Sequence, residues 1–347
     1  MTYLHAIGTA VPGHDIHDAF IAWARMRLPD RERRLFDRMA ARSDIVHRWS
    51  VLPDTDGSPV DPGGFYAVEP SPGTAARMAL YAQAAPALAL AAIDDLILRE
   101  PLGVVTHLVV ASCTGFVAPG IDQIIATRLG LPANTERLLV GFMGCYAAVA
   151  ALRSARHIVR SQRDARVLVV TVELSTLHLQ ADDTIEPLLA MLQFGDGAAA
   201  AIVSAEPRGI AIERPFAAAL PDSAALIRWD ITDRGFAMHL SGEVPGRIGT
   251  ALADATLVAT MTGGEPVDAW AVHAGGRSIL DAVEHGLALP PDALDPSRAV
   301  LAANGNMSSA TLMFTLATMV ERRVTNGVAL AFGPGLAAEG FGFRSAP

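Results

Sequence analysis

Short runs of small and β-branched apolar residues alternate along the chain with longer alanine-rich stretches of helical spacing. The strand candidates are THLVVAS, ARVLVVTVE, AAAIVSA, VDAWAVH and VALAFG, which begin at residues 106, 165, 199, 267 and 328. The helix candidates cover residues 75–98, 145–161, 277–287 and 307–322. Because strands that alternate with helices form crossover units, this pattern predicts an α/β fold with largely buried sheets.

Two stretches, residues 101–121 and 299–320, contain no charged side chain over about the length of a membrane span. Glycine and proline interrupt the first stretch, and Asn, Gly and Ser interrupt the second. We therefore expect buried strand–turn–helix segments and no integral membrane segment. The N-terminus has neither a basic n-region nor a clear apolar h-region, so we predict no signal peptide. Residues 52–72, rich in Pro, Gly and Asp, are expected to form a surface loop.

Two motifs recur in the same order in the two halves of the chain. FGDGAAA at residue 194 is echoed by FGPGLAA at residue 332. GCYAAVAALRSARHIV at residue 144 is echoed by GNMSSATLMFTLATMV at residue 305. Such echoes indicate an internal duplication, although short echoes also arise by chance in an alanine-rich chain. The predicted halves are residues 1–205 and 206–347.

The composition and net charge of the chain argue against some classes of function. The 347 residues are 51% hydrophobic and carry a net charge of -9, which argues against non-specific nucleic-acid binding. An anionic ligand would need a local basic patch that works against this overall charge. The chain has only two cysteines, Cys113 and Cys145, so no disulfide framework is predicted and a reducing, cytoplasmic location is expected.

Cys145 is the first candidate for chemistry, because it lies where an apolar run turns through a glycine into a predicted helix. A helix N-terminus favours a thiolate, especially beside an imidazolium, which His273 could supply after its own strand. Asn306 occupies the equivalent position in the second echo. The alternatives are a buried core thiol, a structural histidine and a helix cap. The sequence contains neither a metal-binding CxxC or HExxH nor a Gly-rich phosphate loop, so no metal is predicted.

The segments GFMGCYAA, FGDGAAA, AVHAGGRSILD, NGNMSSA and FGPGLAAEG occur in this order. Together they resemble the type III polyketide synthases, the chalcone-synthase-like branch of the thiolase superfamily, over nearly the whole chain. The resemblance implies a thiolase-like five-layered αβαβα fold with two pseudo-twofold-related halves, and a homodimer. It implies acyl-CoA and malonyl-CoA as substrates, with no cofactor besides these coenzyme A thioesters.

Carried onto this sequence, the resemblance implies that Cys145 is the nucleophile that holds the acyl chain. It implies that His273 keeps the thiolate charged. It also implies that His273 and Asn306 form an oxyanion hole for the thioester carbonyl and for the enolate left by malonyl decarboxylation.

Further residues are assigned to substrate and coenzyme A binding by the same resemblance. Arg31, Arg34, Arg38 and Arg42 are predicted to share one helical face. Arg38 and Arg42 match two of the family's phosphate-binding cations, whereas the third position is Leu35. The full binding set is Arg38, Arg42, Phe194, Gly275, Gly276, Ser278, Ser308, Phe332 and Pro334. The alternatives are a solvated charged face for the arginines and a core side chain for Phe194.

The expected cavity residues are Cys113, Ser175, Trp229 and Met238. Cys113 stands where plant enzymes have a threonine, and it is either a second nucleophile or a small wall residue. Together with GFMGCYAA, ARHIVRS and ELSTLHLQ, these departures resemble bacterial alkylresorcinol and alkylpyrone synthases, which extend fatty acyl starters. The alternatives are a ketoacyl-ACP synthase III-like enzyme, a non-catalytic acyl-binding homologue and a Cys-His thioesterase.

Overall fold

The computed structural model of the chain describes residues 1–52, 64–67, 71–180 and 184–347, so most of the predicted surface loop lies outside the described residues. The strands are β1 Tyr3–Ala10, β2 His14–Asp15, β3 Trp49–Ser50, β4 His107–Ser112, β5 Glu136–Gly141, β6 Val167–Leu174, β7 Asp196–Ser204, β8 Ile210–Ala219, β9 Ile227–Thr232, β10 Gly235–Leu240, β11 Ala269–Val272, β12 Gly327–Gly333 and β13 Ala337–Ser345. The α-helices are α1 His17–Arg27, α2 Asp30–Ala40, α3 Thr74–Ile97, α4 Ile121–Arg128, α5 Ala147–Ser161, α6 Ile185–Met191, α7 Val244–Leu252, α8 Ala255–Thr262, α9 Arg277–Gly286, α10 Asp295–Asn304 and α11 Ser309–Val320. All five predicted strands and all four predicted helices are present, with ends that shift by a few residues.

The main sheet repeats one pairing pattern in its two halves. Its nine strands follow the order β11-β12-β13-β8-β1-β7-β6-β4-β5. In the N-terminal half β4 pairs parallel with β6, β6 antiparallel with β7, and β7 antiparallel with β1. In the C-terminal half β11, β12, β13 and β8 repeat this series of directions. FGDG leads into β7 and FGPG leads into the equivalent strand β13, so the topology agrees with the duplication that the echoes indicate.

The layers follow from which helices pack on which strands. Helix α3 covers one face of β1, β6 and β7 and belongs to the first apolar core. Helices α5 and α11 contact strands of both halves and share a second core with them. Helices α7 to α10 pack around a third core on the outer side of the C-terminal half. Helices therefore alternate with sheets in the predicted αβαβα arrangement, and α5 and α11 lie at its centre.

Helix α3 is the one described helix that is long and apolar enough to cross a membrane by length and composition. It packs closely on β1: a Cβ at Gly8 would lie 2.1 Å from the backbone nitrogen of Leu96. Only a glycine permits this approach of strand to helix. Buried side chains such as Ala89, Ala92 and Ile93 line the face that meets the sheet. Helix α3 therefore has the packing of a core helix.

Candidate active site

Cys145 lies on a short 3₁₀ turn, Gly144–Tyr146, between β5 and α5. The helix predicted from residue 145 therefore begins only after this turn. The turn requires a glycine, because Gly144 has a φ of 75° and a Cβ there would lie 2.3 Å from Cδ of Pro334. Cys145 is partly buried as a residue and lines a cavity.

Asn306 is held in the segment between α10 and α11 by backbone and side-chain hydrogen bonds. Its N–H donates to the carbonyl of Gln193 at 2.7 Å, and its carbonyl accepts from the N–H of Gly195 at 3.0 Å. Its amide Nδ2 donates to the carbonyl of Gly275 at 3.2 Å, and Oδ1 accepts from the N–H of Ser308 at 2.8 Å. Asn306 precedes α11 rather than starting it. Its orientation is thus fixed by contacts from three separate segments.

His273 follows β11, and its backbone N–H donates to the carbonyl of Leu330 at 2.8 Å. The residue is 1% exposed, and neither ring nitrogen has a partner among the described residues. Burial lowers the pKa of His273 to about 3, so the ring is neutral at rest. A Cβ at Gly275 would lie 3.5 Å from Nε2. The ring therefore lies beside the segment that holds the Asn306 amide, with both nitrogens free for a ligand.

The Cys145 thiol is also neutral at rest. Burial raises its pKa to about 12, although hydrogen bonds from Ser308 and Asn306 lower it and the charge of Glu173 raises it further. The depressed pKa expected from a helix N-terminus is therefore not found, because desolvation outweighs the local hydrogen bonds.

Ser308 has a φ of 48°, a strained conformation for a residue with a side chain. Such strain is typical of residues that the surrounding structure holds for function.

A cavity of about 140 Å³ opens beside Cys145. Its lining contains every cavity residue predicted from the sequence, together with three predicted binding residues and apolar neighbours. The lining residues are Cys113, Thr114, Phe142, Gly144, Cys145, Ser175, Phe194, Ile227, Trp229, Met238, Ser308 and Pro334. Residues from seven separate segments of the sequence therefore converge on one apolar chamber with Cys145 in its wall.

Glu173, which the sequence analysis missed, is buried next to this chamber in β6. It accepts hydrogen bonds from Ser309 Oγ at 2.5 Å, Thr114 Oγ1 at 3.0 Å and the N–H of Cys113 at 3.0 Å. Burial raises the pKa of Glu173 to about 7. The signal for it was a single charged residue inside the apolar run VLVVTVEL.

Cys113 belongs to the wall of the chamber. Its thiol lies 3.3 Å from Oε1 of Glu173 and 3.2 Å from Oγ of Ser308. Burial and the neighbouring carboxyl raise the pKa of Cys113 well above its usual value. Glu173 disfavours a thiolate at Cys113 both by its charge and by accepting a hydrogen bond from the thiol, so these contacts favour the wall residue over the second nucleophile.

A second cavity, of about 490 Å³, lies on the other side of the Gln193–Phe194 segment. Arg42, Arg277 and Ser278 line it, together with Gln193 itself. Arg277 pairs with Asp44 at 3.2 Å, which holds its guanidinium at the cavity. The sequence analysis identified Arg42 and Ser278 but missed Arg277, the residue next to Ser278 in the segment AVHAGGRSILD.

Several residues that the sequence analysis assigned to substrate or coenzyme A binding do not line either cavity. Arg38 is exposed on α2 and does not line either cavity, and Arg42 lies beyond the end of α2, so the four arginines do not share one helical face. Phe332 is 4% exposed and packs in the third core. Gly275 and Gly276 lie between His273 and α9, next to Asn306 and Gln193 respectively. In the described residues no group of three or more His, Cys, Asp or Glu side chains could hold a metal ion.

Comparison with known families covers nearly the whole chain. Residues 1–207 match the family "Chalcone and stilbene synthases, N-terminal domain", and residues 212–347 match the corresponding C-terminal domain family. Relatives named "Alpha-pyrone synthesis polyketide synthase-like Pks18", from Mycobacterium tuberculosis and Mycobacterium bovis, are 35% identical over 251 residues. The match covers 68% of this chain and spans 64% of the length of those relatives.

Solved structures with the same fold include two from eukaryotes. The C-terminal type III polyketide synthase domain of Steely1 from Dictyostelium has a TM-score of 0.90 at 25% identity, over 100% of this chain and 99% of that one. PKS-I from the brown alga Ectocarpus siliculosus has a TM-score of 0.87 at 27% identity, over 99% and 98% of the two chains. Because the two domain families together match residues 1–207 and 212–347, the chain belongs to the chalcone and stilbene synthase family, the type III polyketide synthases.

Proposed function

We propose that the chain is an acyltransferase that condenses an acyl-CoA starter with malonyl-CoA units and cyclises the product to an alkylpyrone or alkylresorcinol. The observation that carries this proposal is a small chamber lined by Cys145 and Ser308, in which Ser308 and Asn306 hydrogen-bond the Cys145 thiol. His273, buried and with unpartnered ring nitrogens, lies against Gly275, whose carbonyl accepts from the Asn306 amide. No cofactor besides the coenzyme A thioesters is required for this chemistry.

Loading begins with transfer of the Cys145 proton to His273. Each group alone is neutral, because burial disfavours either charge by itself. Transfer between them creates both charges together, and their attraction in a dry site offsets the desolvation. The thiolate then attacks the starter carbonyl, the C–S bond to coenzyme A breaks, and the departing thiolate of coenzyme A takes the proton from His273.

Extension uses the same site as an oxyanion hole. Malonyl-CoA loses CO₂, and the electron pair of the broken C–C bond forms an enolate whose oxygen accepts hydrogen bonds from His273 and Asn306. The enolate carbon attacks the acyl–Cys145 thioester, and the thiolate leaves. The fixed Asn306 amide supports this role, because donors held in place before the reaction stabilise developing charge without reorganising.

Coenzyme A would enter through the larger cavity. Its phosphates need cations in a chain of net charge -9, and Arg42 and Arg277 supply two at one cavity. The pantetheine arm would pass the Gln193–Phe194 segment beside Gly275 and Gly276. Delivery of the starter by coenzyme A rather than a carrier protein is favoured by this local pair of guanidinium groups.

The size of the inner chamber bears on the starter. A cavity of about 150 Å³ accommodates benzene, so the 140 Å³ chamber holds a group of roughly that size. The fatty acyl starter expected from the sequence would need a channel beyond these lining residues. The relatives named for alpha-pyrone synthesis support lactonisation as the mode of ring closure.

Mass spectrometry of products from acetyl- to palmitoyl-CoA with malonyl-CoA tests the proposal. We expect pyrone or resorcinol products from the wild type and none from Cys145→Ala, with the folded state of the variant checked by circular dichroism. A single β-ketoacyl thioester would instead indicate a ketoacyl synthase, and free acid formed without consumption of malonyl-CoA a thioesterase. Polyketide formation by Cys145→Ala would overturn the assignment of the nucleophile.

We also propose a homodimer that acts in the cytoplasm. Strand β5 has no counterpart in the C-terminal half and ends the main sheet, with Leu138 and Leu139 43% and 42% exposed. An apolar edge strand is a template for pairing with a second copy. Leu139→Lys should shift the mass measured by light scattering from dimer to monomer, whereas a monomeric wild type would contradict the proposal. Both cysteines, Cys113 and Cys145, are free thiols, which supports a location in a reducing compartment.

A further inference from the structure

Two residues that line the inner chamber carry buried polar atoms without a hydrogen-bond partner. Within the described part of the chain, eight buried side-chain nitrogen or oxygen atoms have no such partner. Two of these, Oγ of Ser175 and Nε1 of Trp229, belong to residues that line the chamber beside Cys145. Because buried polar groups are normally paired, two such atoms on one chamber indicate groups that await a ligand.

The indole of Trp229 is held in place by aromatic neighbours that cannot accept its proton. Its ring centroid lies 6.2 Å from that of Phe194 and 6.2 Å from that of Phe236. His178 is 5.7 Å away, but its Nε2 pairs with the carbonyl of Thr114 at 2.7 Å and its Nδ1 accepts from the N–H of Phe236 at 3.1 Å. Both histidine nitrogens are therefore occupied, and the indole N–H has no protein acceptor.

The hydroxyl of Ser175, which also lines the chamber, likewise has no hydrogen-bond partner. The residue is 1% exposed and starts the turn after β6. The neighbouring hydroxyls are committed elsewhere, since Thr176 Oγ1 donates to Asp196 at 2.7 Å and Thr114 Oγ1 donates to Glu173 at 3.0 Å. The Ser175 hydroxyl is thus left as a free donor in a mostly apolar chamber.

The chemistry of these two groups identifies what they bind. An indole N–H is a donor only, so its partner must be an acceptor oxygen, which a hydrocarbon tail does not offer. Each malonyl-derived unit, in contrast, adds one carbonyl oxygen. The chamber is about the size of benzene, so a chain tethered to Cys145 reaches Trp229 within a few bonds of its thioester.

We propose that Trp229 and Ser175 donate hydrogen bonds to the keto oxygens of the β-ketoacyl intermediate, so that this wall receives the malonate-derived segment and the starter hydrocarbon lies elsewhere. The inference rests on the proposed polyketide synthase function. It makes both residues specificity-determining: they distinguish an extended chain from an unextended acyl group of equal length.

The test compares two thioesters that differ by one carbonyl, acetoacetyl-CoA and butyryl-CoA, by calorimetry on the Cys145→Ala protein. That background binds thioesters without acyl transfer. We expect tighter binding of acetoacetyl-CoA, and a preference that falls about fivefold in Trp229→Phe and in Ser175→Ala, because one hydrogen bond is lost in each. Butyryl-CoA affinity should not change. Trp49→Phe is the matched control, since that indole already donates to the carbonyl of Ala303 at 3.0 Å.

An unchanged preference in both variants would overturn the inference and leave the proposed function standing. Failure of the Cys145→Ala protein to bind either thioester would overturn both. If Trp229→Phe does not fold, Ser175→Ala alone decides, because removal of one hydroxyl leaves the chamber walls in place.

Discussion

The buried carboxyl of Glu173 should make the stability of the protein depend on pH in a direction opposite to that of an ordinary carboxylate. Its pKa is raised from 4.5 to about 7, chiefly by burial, although hydrogen bonds from Ser309, Cys113 and Thr114 oppose the rise. The folded protein therefore keeps a proton that the unfolded chain has already lost. Between these two pKa values, stability falls as the pH rises, because the unfolded state binds fewer protons.

The magnitude follows from the shift. The rise of the pKa from 4.5 to about 7 corresponds to about 3 kcal/mol once the pH exceeds the folded-state pKa. Most of this change in stability should develop between pH 5 and pH 8. Glu173→Gln removes the titration but keeps the shape. The free energy of unfolding of the variant, relative to wild type, should therefore rise by roughly 2 to 3 kcal/mol between these pH values.

Urea denaturation of both proteins at the two pH values measures this difference. Other titrating groups, such as the buried Asp196, are shared and cancel in the comparison. The steric cost of the amide also cancels, because it is the same at both pH values. Glu265→Gln, at an exposed loop position, is the matched control and should follow wild type throughout. A difference between Glu173→Gln and wild type that does not vary with pH would refute the reasoning.

Three further predictions concern the site. Gly144→Ala should lower the free energy of unfolding by at least about 1 kcal/mol and inactivate the enzyme, because its φ and the contact with Pro334 admit only glycine; thermal unfolding and product assays check this. Asn306→Ala should lower kcat about 10²- to 10³-fold, and an unchanged kcat would remove Asn306 from the oxyanion hole. Arg277→Gln should raise KM several-fold for malonyl-CoA but not for a malonyl thioester of N-acetylcysteamine. Arg163→Gln, at an exposed position outside both cavities, is its control, and equal effects of the two variants would contradict the assignment.

The sequence by itself determined the local elements and their order. Short apolar runs with β-branched residues specified β4, β6 and β12, because such runs are typical of strands that are buried on both faces. The motif echoes specified the duplication, with which the strand pairing agrees. The glycine at position 144 marked the turn that carries Cys145, because a positive φ and a close contact exclude other residues there. These features depend on neighbours a few residues apart.

The tertiary structure alone decided how distant segments meet. It brought Arg277 to Arg42, moved Phe332 into the core and placed Trp229 against Phe194. It also decided the protonation states, since the pKa of Cys145 rises where the helix N-terminus had suggested a fall. The physical reason is that desolvation is set by every segment packed around a group. A sequence shows which residues can react, whereas only the packed interior fixes how much water, charge and hydrogen bonding each of them retains.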